Sequence, residues 1–237
     1  MGFVVGIDGP AGSGKGTITK KIANLTGLIN IDTGITYRCV ALQALRTGAI
    51  KDGIIDEKKI IDLLDKIDIV IKNTPNGDIV FLNGQEVTKE IREKEVTKVV
   101  SPVSSIKEVR FAMVELQRKL GKDKDIIMEG RDICTYVFPN ADVKIYLDAT
   151  EEERAKRRYL EMKEKNIEMS YEEVLENIRK RDDNDKKKEI GALKLAPDSI
   201  IVDTTNLTIE EVTNKIVNII KNKRNDIKKW EKYLNFL

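Results

Sequence analysis

Nine residues near the start of the chain, Gly9 to Thr17, read GPAGSGKGT and supply what a polyphosphate site needs: a free backbone and a fixed positive charge. Gly9, Gly12 and Gly14 permit backbone conformations closed to other residues, so consecutive N–H groups can converge on phosphate oxygens, and Lys15 adds a cation. Gly16 follows the lysine, and the hydroxyl suited to Mg²⁺ comes one place later, at Thr17. Such a loop must be held between a strand and a helix. Phe3 to Ile7 is an apolar run suited to a buried strand, and Ile18, Ile22 and Leu25 recur at helical spacing behind the loop, which puts the positive end of a helix at the phosphates. The expected ligand is a nucleoside triphosphate. A glycine-rich turn that binds nothing is the alternative.

The elements around this loop alternate. Apolar runs at Ile126 to Met128, Val143 to Leu147 and Ile200 to Val202 predict buried strands, while Val109, Met113, Leu116 and Leu120 predict one helical face and Ile209, Val212, Ile216 and Ile219 another. The fold class is therefore α/β, a parallel sheet with helices on both faces. Between Asp68 and Val87 the pattern changes to three short β-rich segments separated by Asn76-Gly77 and Asn83-Gly84, dipeptides suited to tight hairpins. A small antiparallel insertion is expected there, either a surface meander or a substrate-gripping subdomain.

With 237 residues, 41% of them hydrophobic and 35% charged, the chain can bury one good core as a single domain with an insertion. No apolar run is long enough for a membrane span, and the N-terminus passes into the first strand without the regions of a secretory signal, so a cytoplasmic protein is expected. Only two cysteines occur, Cys39 and Cys134, which indicates neither a disulfide framework nor a cysteine zinc site. The net charge of +2 does not by itself imply a nucleic-acid partner. Histidine is absent, which rules out a histidine-based triad. Phosphoryl transfer to a monophosphate loses nothing by this, because the acceptor oxygen is already largely ionised near neutral pH.

GPAGSGKGT at 9 to 17, DTGITYR at 32 to 38, EGRDI at 129 to 133, FPNADVKIYLDA at 138 to 149 and RDDND at 181 to 185 stand in an order and spacing that resembles the bacterial cytidylate kinases, over essentially the whole chain up to about Lys221. The resemblance implies a P-loop kinase that takes ATP with Mg²⁺ and transfers its γ-phosphoryl group to CMP or dCMP. It divides the chain into a core of about 1–35, 103–150 and 190–221, a CMP-binding insertion of about 36–102, which includes the antiparallel meander, and a lid of about 151–189. Gly9, Pro10, Ala11, Gly12, Ser13, Gly14, Lys15, Gly16 and Thr17 would hold ATP, with Thr17 toward the metal. Arg38 and Arg131 would hold the acceptor phosphate, Ser101, Arg110 and Asp132 the base, Arg181 and Asp185 the sugar side, and Thr33 lies in the substrate-contacting DTG element.

The catalytic cations implied are Lys15, Arg131 and three arginines of the charged Glu151 to Lys165 segment, Arg154, Arg157 and Arg158. Read without the resemblance, that segment is a solvated helix with Glu-to-Arg pairs. The chain departs from the family pattern at Thr33 (serine is common), Glu129 (aspartate), Cys134 (glycine) and Lys188 (arginine, whose planar contact lysine cannot copy). Beyond Lys221, Ile227, Trp230, Leu234 and Leu237 share a helical face in a tail, 222–237, expected to pack back on the body or to meet a partner or membrane surface. A monomer without nucleic-acid or membrane partners is expected. The rival readings are a P-loop nucleotide sensor or RNA binder without kinase activity, and a monophosphate kinase of another base specificity.

Overall fold

In chain order the elements are β1 (Val4–Asp8), α1 (Lys15–Thr26), β2 (Ile29–Asp32), α2 (Thr33–Arg46), β3 (Ile50–Lys51), β4 (Ile54–Ile55), α3 (Glu57–Leu63), β5 (Ile69–Thr74), β6 (Gly77–Leu82), β7 (Gln85–Glu86), α4 (Lys94–Val103), α5 (Lys107–Gly121), β8 (Ile126–Gly130), β9 (Val143–Asp148), α6 (Glu151–Glu164), α7 (Tyr171–Lys187), β10 (Ile200–Asp203) and α8 (Ile209–Leu234). The computed structural model describes residues 2–74, 77–164 and 167–234, and side chains up to 228. All four predicted apolar runs are strands. The chain divides into two compact units.

The first unit comprises residues 1–31, 123–187 and 193–237. Its parallel sheet has the order β10-β9-β1-β8-β2. β1 lies at the centre, with Ile7 opposite Glu129 on one side and Ile145 on the other. All five β1 residues are buried, as suits a strand covered on both faces. Because β1 has later strands on both sides, its carboxyl end is the point where the strand order reverses, the place where open α/β sheets receive ligands. The Gly9–Thr17 loop follows at that end. Ile7, Ile22, Leu147, Val202 and Ile216 form the core between sheet and helices. In the same unit α6 and α7 pack through Ala155, Val174 and Ile178, with the rings of Tyr159 and Tyr171 edge to face at 6.3 Å.

The second unit comprises residues 32–122 and 188–192, with its own core around Val40, Ile60, Leu82 and Ile91. The antiparallel insertion is the sheet β5-β6-β7. Asn83 and Gly84, at φ 51° and 81°, make the left-handed pair that a two-residue hairpin requires. Asn76, of the other turn, lies outside the described residues. A further hairpin, β3 with β4, turns at Asp52 and Gly53 in the same way (φ 51° and 79°), and the Asp-Gly dipeptide was available in the sequence as its signal.

The helical faces differ from expectation. Leu25 is 61% exposed, since the buried stripe of α1 runs through Lys15, Ile18, Thr19, Ile22 and Ala23. In α5 the stripe is Val109, Arg110, Met113, Val114 and Gln117, leaving Leu116 and Leu120 half-buried. Ile209 of α8 is exposed while Thr213 and Val217 are buried. In each case buried polar side chains belong to the stripe, and apolar periodicity alone aims it wrongly. α8 continues without a break from Ile209 to Leu234. Within the first unit it is tied down at Arg224, whose Nη2 lies 2.7 Å from Asp125 Oδ2 and whose guanidinium sits 4.7 Å from the Phe3 ring centre. Ile227 is half-buried, and the side chains of Trp230, Leu234 and Leu237 lie outside the described residues. Among the described residues no helix is long and apolar enough to cross a membrane.

Candidate active site

The loop's shape follows from two of its glycines. A Cβ at Gly9 would lie 2.1 Å from the carbonyl oxygen of Leu147, and Gly14, at φ 88°, caps α1 from the left-handed region. Lys15, 5% exposed, folds back so that Nζ donates to Gly9 O and Pro10 O, each at 2.7 Å, and to Ser13 Oγ at 3.1 Å. Burial holds the Lys15 pKa well below the ordinary lysine value, and the charges of Arg131 and Arg181 lower it further against opposition from Glu129 and Asp8. Cations crowded together are relieved by an arriving anion, which is the electrostatic character a phosphate site requires.

Asp8 organises the segment after β8. The Asp8 carboxylate accepts the N–H groups of Ile133 and Cys134, both at 2.8 Å, and fixes the π-helical turn Ile133–Val137. Asp132 is 5% exposed. Arg131 Nε donates to Asp185 Oδ2 at 2.8 Å. Burial works against the Arg131 charge, but Asp185, with Asp182 and Glu129 behind it, holds its pKa above the usual arginine value. Arg181 is exposed on α7.

The groups near the loop that could meet a metal are oxygens. Glu129 is buried beside the start of α1: its Oε1 lies 3.4 Å from Thr19 Oγ1, and a Cβ at Gly16 would be 3.0 Å from it. Thr17 is exposed. Among the described residues no three carboxylate, cysteine or histidine groups cluster. A single carboxylate and a hydroxyl fit Mg²⁺, which is held mostly by phosphate oxygens and water, and do not fit a metal that needs a full protein cage.

The three arginines expected in the lid are placed differently from one another. Arg154, 4% exposed, donates from Nε to Ala149 O at 3.1 Å and from Nη1 to Ala11 O at 2.8 Å and to Asp182. Arg157 donates from Nη1 and Nη2 to the hydroxyl and carbonyl of Thr204, and from Nε to Glu153. Arg158 pairs with Glu161, one turn along α6, at 2.7 Å. Asp182, absent from the residues expected to act, is 3% exposed and also accepts the N–H of Ala11 at 3.0 Å. The first unit thus assembles the loop, Arg131, Asp132, Arg154, Arg181 and Asp185.

The second unit carries the remaining candidates. Asp32 caps α2 by accepting from Gly34 N at 2.9 Å, and Thr33 behind it is buried. Arg38 Nη1 donates to Ile91 O at 2.9 Å and Thr97 Oγ1 at 3.0 Å. Arg110, 2% exposed, donates to Ser104 O at 3.3 Å and lies 5.5 Å from the Tyr37 ring centre. Ser101, near the end of α4, is half-buried, and its carbonyl accepts from the hydroxyls of Ser104 and Ser105. Lys188 Nζ donates to Ser104 Oγ at 3.1 Å, which places this departure from the family pattern next to the acceptor of Arg110.

A phosphate loop at the switch point of a parallel sheet, with buried lysine and arginine around it, defines a P-loop nucleotide-binding protein. The profile of the cytidylate kinase family matches residues 5–222. A cytidylate kinase of Caldicellulosiruptor bescii is 47% identical over 91% of this chain and 94% of its own, and that of Bacillus subtilis is 42% identical over 92% and 96%. The chain belongs to the cytidylate kinase family. A solved structure of an uncharacterised protein from Eubacterium ventriosum shares the fold, with a TM-score of 0.50 at 12% identity over 92% of this chain and 98% of that one.

Proposed function

We propose that the protein transfers the γ-phosphoryl group of ATP to CMP or dCMP, giving CDP or dCDP and ADP. The observation that carries this reading is the buried Lys15, folded into the loop with the charges of Arg131 and Arg181 upon it. Residues 9–17 hold the triphosphate through the Lys15 ammonium and through backbone N–H groups other than those of Pro10, which has none, and Ala11, which is given to Asp182. Thr17 and Glu129 would hold Mg²⁺, which supplies charge neutralisation between the phosphates when bound.

Arg38 and Arg131 hold the acceptor phosphate, whose oxygen needs no base. The charge that develops on the transferred group is met by Lys15, Arg131, Arg154, Arg157 and Arg158, the last three on the lid helix α6. Thr33, Ser101, Arg110, Asp132, Arg181 and Asp185 serve the nucleoside. A carboxylate at Asp132 suits the amino group at C4 of cytosine, and a guanidinium suits its N3 and O2 acceptors. Uracil reverses that pattern and leaves buried polar groups unpaired. The protein works as a cytoplasmic monomer with small-molecule partners.

The test is ADP formation with ATP and Mg²⁺, offered CMP, dCMP, UMP and AMP separately. CMP and dCMP should be turned over and the others not. Lys15→Ala should lower kcat by about a thousandfold, the scale of removing one preorganised charge from such a site. Comparable turnover of UMP defeats the base assignment, and no ADP from any acceptor defeats the kinase reading.

A further inference from the structure

We propose that Asp182 is a positioning residue that fastens Arg154 and the phosphate loop to one another, and so sets how tightly the triphosphate is held. This deepens the kinase reading and rests on it. Asp182 lies on α7, 171 residues from Ala11 and 28 from Arg154, yet it reaches both. Its Oδ1 accepts the N–H of Ala11 at 3.0 Å, and its Oδ2 accepts from Arg154 Nη1. The same Nη1 donates to Ala11 O at 2.8 Å. Both polar groups of Ala11 are therefore occupied, and the three partners close a ring of hydrogen bonds with Asp182 and Arg154 each at most 4% exposed.

The ring has consequences for ligand binding. The backbone of Arg154 lies against the loop, since a Cβ at Gly12 would meet Arg154 Cβ and O at 3.1 Å. Arg154 commits Nε to Ala149 and Nη1 to the ring, and among the described residues Nη2 makes no hydrogen bond. Nη2 is the edge we assign to a phosphate oxygen of the triphosphate. Asp185 stands one turn further along the same face and holds Arg131 by its Nε. The α7 helix thus presents two buried carboxylates, each orienting one guanidinium, and Asp182 is the one that acts on the ATP side. As an amide, residue 182 keeps a single acceptor oxygen, so either the Ala11 N–H or Arg154 Nη1 faces a donor instead of an acceptor, and loop and arginine are free to drift apart.

The experiment uses the full chain. Calorimetric titration with the β,γ-imido analogue of ATP plus Mg²⁺, and separately with CMP, compares wild type with Asp182→Asn, alongside thermal unfolding in the same buffer. Asp182→Asn should weaken the analogue about tenfold, as expected for one charged hydrogen-bond partner, and leave CMP within about twofold. The double variant with Arg154→Met should be no weaker for the analogue than the weaker single variant, because residues that act as a unit are not additive. An unchanged analogue affinity in a folded Asp182→Asn protein overturns the proposal, and so does an equal loss for both nucleotides, which is general loosening. If Asp182→Asn does not fold, Asp182→Glu, which keeps the charge but shifts both oxygens, gives the same comparison, and a loss confined to the analogue is again required. Wild type that binds the analogue but forms no ADP from ATP and CMP sinks the kinase reading alone.

Discussion

Asp8 ends β1 one residue before the phosphate loop, and burial pushes its pKa up to about 6 despite the N–H groups of Ile133 and Cys134 that favour the charge. The unfolded chain gives up this proton near the ordinary carboxylate value of 3.8, the folded one only near 6, so the folded state binds more protons in between. Stability should therefore fall as pH rises from about 4 to about 6 and level off above. Between pH 7 and pH 4.5 the wild type should gain roughly 2 kcal/mol relative to Asp8→Asn in urea unfolding, and parallel pH profiles for the two proteins contradict this. Lys15 stands out in the sequence because it sits inside a motif with a chemical requirement, and Arg131, Asp132 and Arg181 because they sit inside motifs that resemble those of the family. Asp182 does not stand out. RDDND shows several acids in a row, and only the packing of α7 decides that Asp182 and Asp185 point inward while Asp183 is exposed.

β2 and the β3–β4 hairpin at Asp52-Gly53 were not read from the sequence, whereas the four apolar runs and the Asn83-Gly84 turn came through, because such runs and left-handed Asn-Gly pairs are local signals. Helix faces did not, since Lys15, Arg110 and Gln117 are buried for reasons that lie on other elements. Gln117 Nε2, for example, donates to Thr36 Oγ1 across α5 and α2 at 3.0 Å, and Thr36 in turn donates to Thr33 O at 2.8 Å. The fit of β1 against the turn that follows β8 yields a sharper test. A Cβ at Gly6 would lie 2.7 Å from Cys134 Sγ and 3.1 Å from Ile133 Cγ2, so glycine in the strand makes room for the thiol that replaces the family's usual glycine. Gly6→Ala should destabilise by about 2 kcal/mol through overpacking, and Cys134→Gly in the same chain should recover part of it. Strict additivity of the two changes in a denaturant cycle would count against this coupling.

At the scale of the whole molecule, the last helix is bound to the first strand's start by Arg224, through Asp125 and the Phe3 ring. Ending the chain at Lys223 should lower the midpoint of thermal unfolding by about 3 °C, and an unchanged midpoint would mean that these contacts contribute nothing. The strand order has an outcome of another kind, in time. β1 is made before its partners in the sheet, which begin at Ile126 and Val143, so it must wait for the whole stretch between them. The second unit, apart from residues 188–192, is one continuous stretch whose core residues all lie between Ile35 and Met113. On a ribosome adding roughly 5–20 residues each second, the middle of the protein is able to fold seconds before its beginning, and the phosphate loop is among the last parts to take shape.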